Sequence, residues 1–290
     1  MKRLFATLLA PLGTGAFVAL LLLERRRPLR RTRENPNRRL VRNAALSALT
    51  GAAIQLVFLP AMTATARAVG RRRIGLLQQI PLPETARTAL AVILLDYTYY
   101  WWHRSLHQIP LLWRFHIVHH ADRDMDVSTA IRFHFGEWLL STPFRLLQTL
   151  VVGASERGVA AFEISMVLAI FFHHSNLRLP FAAERRLARW IVTPRLHGIH
   201  HSVIQRENNS NFSTLSNLWD RLHSTLRPDV PQQGIDIGLP RYRDEQDVTL
   251  VKMLALPFRP DAPMPYAGER PLLSLVPLPD HPSPDTGLAA

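Results

Sequence analysis

The sequence predicts an all-α protein, an integral membrane helical bundle of about three spans plus a short helical hairpin. A cytoplasmic helical cap would carry a histidine-rich dimetal site. Three observations carry this expectation. Long uncharged runs reach bilayer-spanning length, histidines cluster at helical spacing, and no segment shows strong strand alternation.

Leu4 to Leu23 is a run of twenty residues without a charge, and Ala44 to Ala66 is a second uncharged run. A hydrocarbon core of about 30 Å takes about 20 apolar residues as helix, so both qualify as spans. The first ends in Glu24 and three arginines rather than in a small-residue cleavage site, which reads as a retained anchor and not as a signal peptide. Between them, Glu24 to Arg42 holds nine arginines. The positive-inside bias puts that loop in the cytoplasm. Thr88 to Trp102 is a third apolar stretch, broken only by Asp96, and its YTYYWW suits a membrane–water boundary. It would return to the cytoplasm and deliver His103 there. Arg71 to Arg73 then fall on the outer side, unless 67–87 lies along the interface. Trp138 to Phe172, interrupted by Arg145, Glu156, Arg157 and Glu163, reads as two short helices in a hairpin that need not span fully. After Pro180 hydropathy drops, and 181–227 reads as a soluble helical cap. From Pro228 prolines recur to the end, as in an extended or disordered tail. The expected divisions are a 1–87 membrane anchor region, an 88–227 catalytic domain and a 228–290 proline-rich tail.

Composition narrows the function classes. The net charge of +13 is almost wholly arginine, lysine occurring only at Lys2 and Lys252. Such a balance suits nucleic acid or anionic lipid, and the apolar runs favour lipid over nucleic acid. Absence of cysteine excludes disulfides, thiolate catalysis, cysteine zinc fingers and cysteine-ligated iron–sulfur clusters.

The histidines decide the chain. His103 and His107 sit in HRSLH, His116, His119 and His120 in HIVHH, and His197, His200 and His201 in HGIHH, with His174 in FFHHSN. On a helix, residues at i, i+3 and i+4 share a face, so each group aims two or three imidazoles at one point. A lone histidine is more often an ordinary polar residue, but three groups at helical spacing exceed chance. Neutral imidazole suits iron, zinc and copper, and so many ligands exceed one ion and fit two. Two irons could bind O2 and attack an unactivated C–H bond, chemistry that belongs to the metal and not to side chains. Asp96 lies seven residues before His103 on one helical face and could hold a ligand's other N–H; a helix-packing contact is the alternative. His134 and Glu137, at i and i+3, could be ligands, could support them, or could belong to an ordinary amphipathic helix. Asn211 and Asp220 suit bracing of the cap, and His223 a structural role near the site. His173 neighbours His174, and His281 lies in the tail.

HRSLH, FHIVHH, HSNLRLP, TPRLHGIHHS and NFSTLSNLWDRL together resemble the fatty acid hydroxylase/sterol desaturase superfamily, from about Asp96 to Thr225. Membrane acyl desaturases share the three-box spacing; RFHFGE and the closing NF...LWDRL point to this superfamily. The resemblance implies a membrane di-iron oxygenase with ligands His103, His107, His116, His119, His120, His174, His197, His200 and His201. Its implied activities are hydroxylation or desaturation of sterols, fatty acyl chains, carotenoids or ether lipids. Phe135-Gly136 follows His134 where the family usually has proline, NFS replaces the commoner NFG, and His173 stands where glutamine is frequent. No box histidine is lost. No His-Pro-Gly-Gly stretch of an attached haem domain occurs, so electrons would come from a separate ferredoxin, flavoprotein or cytochrome. Zinc could substitute for iron in purified protein. A bacterial inner membrane with a cytoplasmic active site fits these readings. A histidine-rich metal transporter or metal-binding protein is the alternative, but its ligands would sit within crossing helices near the midplane. A zinc hydrolase would need HExxH, which is absent.

Overall fold

The computed structural model describes residues 10–260 and 262. Among them all regular structure is helical, and extended pairing is confined to isolated bridges such as Pro28–Leu177 and Ile191–Ser216. α1 runs Ala10–Arg26; residues 4–9 of the first expected span lie outside the described residues. α2 (Pro36–Ala53) starts at Asn35, whose side chain accepts the N–H groups of Asn37 and Arg38, with Pro36 in the first turn where an N–H has no partner anyway. A π-turn over Ile54–Phe58 leads into α3 (Leu59–Arg72). Pro60 cannot donate to the carbonyl four residues back, which accounts for the widened turn. With the short α4 (Leu76–Gln79) these helices form the segment Pro36–Gln79. Among the described residues it is the one segment both long and apolar enough to cross a membrane. It contains the expected second span. The expected third lies in α5 (Glu84–Gln108), which is 25 residues long but does not reach the same apolarity.

Ile109 is extended and Pro110 opens α6 (Pro110–His120), so the chain turns sharply between two histidine groups. The expected hairpin is present as α7 (Phe135–Val152) and α8 (Glu156–His174), longer than a pair of short helices. At 18 and 19 residues, each is about 27 Å, near the thickness of a bilayer core. Gly153 ends α7 with φ +76°, and Gly75 adopts φ +89° directly against it. A Cβ on Gly75 would stand 2.2 Å from the Leu150 carbonyl, so this turn-on-turn contact requires glycine. α9 (Phe181–Leu187), α10 (Pro194–His200), α11 (Gln205–Asn208) and α12 (Leu218–Leu222) form the cap.

α5, α7 and α8 enclose a core of Leu95, Phe162 and Met166, joined by Phe58 and Met62 from the segment before them. Polar groups lie inside this bundle as well: Arg145 pairs with Glu163, and Gln148 donates to the Leu95 carbonyl. Leucine, isoleucine and valine face outward instead, at Leu56, Ile93, Leu147 and Val151. Charges paired within and an apolar exterior are what a lipid solvent selects.

One expectation is corrected. Residues 228–260, expected as the start of an extended tail, return to the body. Ile237 and Leu239 are buried, and after a 3₁₀ turn α13 (Leu250–Ala255) places Met253 and Leu256 against Trp113 and Ile117 of α6. The prolines hid a short amphipathic helix that covers the back of a histidine helix. Residues 263–290, including His281, lie outside the described residues. Met253 is fully buried, so Met253→Ala is expected to destabilise by about 2–5 kcal/mol, while the exposed Val251→Ala stays within about 0.5 kcal/mol. Thermal unfolding of both variants in detergent checks this; equal melting temperatures would show that the segment does not support α6.

Candidate metal centre

Four helix ends converge. α5 contributes His103 and His107 in its last turns, α6 contributes His116, His119 and His120, and α8 ends at His174. α10 brings His197 and His200, with His201 at its C-cap. The Cβ-less Gly198 lets α10 lie against Arg30. A Cβ there would meet the Arg30 guanidinium at 1.8 Å, and that guanidinium donates to the Pro194 carbonyl at 2.6 Å. All nine histidines are buried.

They divide into two groups. His103, His107, His116, His120 and His200 form one, and His119, His174, His197 and His201 the other. Within each, one nitrogen per ring lies within 4.8 Å of all the others. An ion bound at about 2.1 Å needs donors no more than about 4.2 Å apart, a small side-chain adjustment from this. The groups adjoin where His120 stacks on His201 at 4.3 Å.

Hydrogen bonding fixes the tautomers. Nδ1–H donates from His103 to the Phe212 carbonyl (2.7 Å), from His119 to that of Arg132 (3.2 Å), from His174 to that of Ile170 (2.9 Å) and from His200 to that of Ser210 (2.7 Å). His116 donates likewise to Glu137 Oε1 at 3.2 Å. Carbonyls and carboxylates only accept, so in each ring Nε2 carries the lone pair. The second group then holds a telling contact. His119 Nε2 lies 3.0 Å from His174 Nε2, and His197 Nε2 lies 2.9 Å from the same atom. For His119 and His174, these are two lone pairs facing each other with no proton between them. Such an arrangement repels unless a cation sits among the nitrogens. A proton is a poor candidate, because burial, then His174, holds the His119 imidazole well below its usual range. In the first group His107 has both ring nitrogens buried without a partner, and Nε2 of His116, His120 and His200 is likewise unpartnered. Unpaired buried nitrogens cost roughly 1–3 kcal/mol each, a cost that coordination removes. The donor set therefore fits metal.

The remaining candidates occupy other places. Asp96 makes no hydrogen bond to a histidine; it accepts the Leu215 and Ser216 N–H groups and Trp219 Nε1 (2.7 Å). It thus ties α5 to the loop whose Phe212 carbonyl holds His103. His134 caps α7, accepting the Gly136 N–H at Nδ1 and facing the Leu254 carbonyl through Nε2, so neither nitrogen is free for an ion. Glu137 reaches only His116. His173 lies beside His197, ring centroids 4.1 Å apart, outside both groups. Asn211 adopts φ +53° and bonds the Leu196 and Arg227 carbonyls, while Asp220 accepts the Phe212 and Ser213 N–H groups. Both brace the loop. His223 stacks on Tyr100 at 5.0 Å, away from the ligand groups.

Sequence reasoning missed a buried network behind His119. Arg39, inside the basic loop expected to face the cytoplasm, is fully buried and forks onto Asp122 at 2.9 and 3.0 Å. Its Nη1 reaches Asp126 at 2.5 Å. Asn43 accepts from Arg132 at 2.8 Å, and the Arg132 carbonyl takes the His119 proton. Burial alone would raise the Asp122 carboxyl, but Arg39 and Arg132 outweigh it and hold the group well below the usual carboxylate range. The signal was present in HHADRDMD, three acids directly after a histidine box. Asn208, 3.1 Å from His120 Nδ1 and donating to the His200 carbonyl, was also missed.

Comparison with known proteins agrees with this geometry. Residues 88–225 match the fatty acid hydroxylase family. The chain is 27% identical over 157 residues to an ornithine lipid hydroxylase of Rhizobium tropici, covering 54% of this chain and 46% of that protein. An alkylglycerol monooxygenase of Danio rerio is 30% identical over 145 residues, covering 48% and 30%. A very-long-chain aldehyde decarbonylase of Oryza sativa is 27% identical over 165 residues, covering 51% and 25%. The chain spans less than half the length of these relatives. No solved structure matches.

Two outcomes follow from this geometry. Glu137→Leu removes the acceptor from His116 Nδ1 and is expected to weaken metal binding about 10–100-fold, with Glu137→Gln closer to the parent. Metal titration by competition with a chelator checks it, and unchanged affinity in Glu137→Leu would sink the assignment. Burial also lowers the pKa of His120, His200 and His201 in the folded state. Below the unfolded value of about 6.5 the unfolded chain binds more protons, so stability is full above that pH and falls as pH drops through it. The metal-free protein should melt progressively earlier from pH 7 to pH 5; a flat profile would contradict the neutral, buried imidazoles.

Proposed function

Residues 88–225 belong to the fatty acid hydroxylase family, and on that premise we propose that the protein is a membrane-embedded di-iron oxygenase that hydroxylates or desaturates a lipid. The observation that carries this is the pair of imidazole groups, with the facing lone pairs of His119 and His174. His103, His107, His116, His120 and His200 would hold one iron, and His119, His174, His197 and His201 the other. When bound, such a pair supplies O2 activation for attack on an unreactive C–H bond.

The chain's own residues do the rest. Carbonyls of Phe212, Ser210, Arg132 and Ile170 hold the Nδ1–H of His103, His200, His119 and His174, leaving each Nε2 free to hold a metal. Burial keeps the imidazoles neutral and water out, and the outward-facing leucines set the site at the depth where a lipid chain enters. Names of the relatives support a lipid substrate: an ornithine lipid, an alkylglycerol and a very-long-chain aldehyde. The substrate class is sterol or hopanoid, fatty acyl, carotenoid or ether lipid. Electrons come from a separate ferredoxin, flavoprotein or cytochrome. The basic loop orients the site toward the cytoplasm of a bacterial inner membrane, which a reporter fused after Thr225 should show. A periplasmic signal would refute that orientation.

All-imidazole sites bind zinc more tightly than ferrous iron, so protein purified with zinc would be inert. Protein loaded with ferrous iron and supplied with a reductase system and total lipid extract should give an oxygenated or dehydrogenated lipid, a hydroxyl carrying label from O2. His107→Ala, His120→Ala and His200→Ala should each lose metal and turnover, and His281→Ala neither. With two irons per chain verified, failure across sterol, acyl, carotenoid and ether-lipid pools would reject the oxygenase reading.

A further inference from the structure

The cap carries a surface that water does not explain. Phe181 and Leu187 of α9, Trp190 just after it, and Leu218 and Leu222 of α12 are all exposed, Trp190 at 74%. They are neighbours through the backbone. Ser216 Oγ and the Asn217 N–H both bond the Trp190 carbonyl, Arg221 donates to the Ala188 carbonyl, and Ile191 bridges Ser216. Single exposed apolar residues are ordinary, but five large ones on two linked segments form a contact surface. Exposed arginines are set among them at Arg185, Arg186, Arg189 and Arg221. Leu, Phe and Trp interleaved with arginine is the composition of an element that lies in the interface of an anionic leaflet.

Position decides in favour of lipid. Leu218 and Leu222 share one face of α12, and Trp219 and His223 the other. That other face is fastened to α5: Trp219 lies 4.8 Å from Tyr97 and His223 lies 4.7 Å from Trp101, ring to ring. Tyr97 and Trp101 continue a stripe on α5 with Leu90 and Ile93, of which Leu90, Ile93 and Trp101 are exposed. The exposed apolar face of α5 therefore runs without a break onto α12 and α9. Arg104, over the Trp101 ring at 5.3 Å, marks the level where that stripe meets charge.

We propose that α9, Trp190 and α12 are seated in the anionic membrane interface, at the depth of Tyr97 and Trp101. The cap is then not a soluble domain above the bilayer but a second membrane-bound element gripping α5 just before its histidines. This goes beyond the proposed activity and rests only on the membrane placement of the bundle.

The chain has no cysteine, so single cysteines can be spin-labelled cleanly. Full-length Trp190→Cys, Leu218→Cys and Leu222→Cys would be labelled in nanodiscs of phosphatidylcholine with phosphatidylglycerol. Arg206→Cys serves as an aqueous reference in the cap, and Leu56→Cys, in the apolar segment and 78% exposed, as a lipid reference. Accessibility to O2 and to a water-soluble nickel chelate would be read by power saturation. The expectation is that labels at 190, 218 and 222 pair with Leu56→Cys, open to O2 and shielded from nickel. Replacing phosphatidylglycerol by phosphatidylcholine should raise their nickel accessibility, and Arg185→Gln/Arg186→Gln/Arg189→Gln should abolish that lipid dependence. If the three labels behave like Arg206→Cys while Leu56→Cys reads lipid, the proposal is overturned and the bundle stands. If Leu56→Cys also reads water, the membrane placement itself is overturned. Shielding that arises only on adding a ferredoxin would make this a protein-docking face and overturn the lipid assignment. Lipid-independent shielding would overturn the anionic preference.

Discussion

Imidazole lone pairs forced together in a dry chamber are the constraint on which the rest of this structure depends. His119 and His197 each bring Nε2 within 3.0 Å of His174 Nε2. Four further imidazoles surround His107, whose own ring nitrogens and the Nε2 atoms of His116, His120 and His200 have no partner, and His201 completes the set. Left alone, this is a concentration of unpaired buried acceptors that would cost several kcal/mol. A bound cation would turn the same groups into a tie between α5, α6, α8 and α10. The sharp turn at Ile109–Pro110 and the absent Cβ at Gly198 serve that convergence.

Holding the rings is the work of residues far apart in sequence. Apart from that of Ile170 within α8, the carbonyls that fix Nδ1–H come from loops, and those loops are pinned in turn. Asp220 accepts two N–H groups at the Phe212 loop, and Asp96 secures the next residues to α5. On the other side, Arg39 and Asn43 enter from the first turns of α2 and lock Asp122 and Arg132 behind His119. Glu24 accepts the Val127 and Asn176 N–H groups, so the same basic segment also fastens the loop after α8. The segment before the family-matching region is thus a wall of the histidine chamber. A buried, forked Arg39–Asp122 pair is costly to break from one side, because the partner is left charged in a dry place.

The legible part of the site was the part with a period. HxxxH and HxxHH put imidazoles on one helical face whatever the tertiary structure, and the structure gathers all nine expected histidines. The α7–α8 hairpin followed from an apolar region, Trp138 to Phe172, interrupted by Arg145, Glu156, Arg157 and Glu163. What sequence could not yield was non-local. A backbone carbonyl such as that of Phe212 has no residue signature, and Arg39 in a run of nine arginines looks like any solvated charge. Asp96 shows the limit of a face argument: two turns before His103, on the right side, it turns to a loop 119 positions away in the chain. The proline-rich end misleads because prolines flank Leu250–Ala255 on both sides, while that segment is a single amphipathic turn and a half whose burial depends on α6.

Metal stoichiometry and ligation test the central claim most directly. Elemental analysis with X-ray absorption on the purified, ferrous-iron-loaded protein should find two ions per chain in a nitrogen-dominated, imidazole-type environment. A single ion per chain, or a shell dominated by oxygen, would contradict the two-centre histidine chamber.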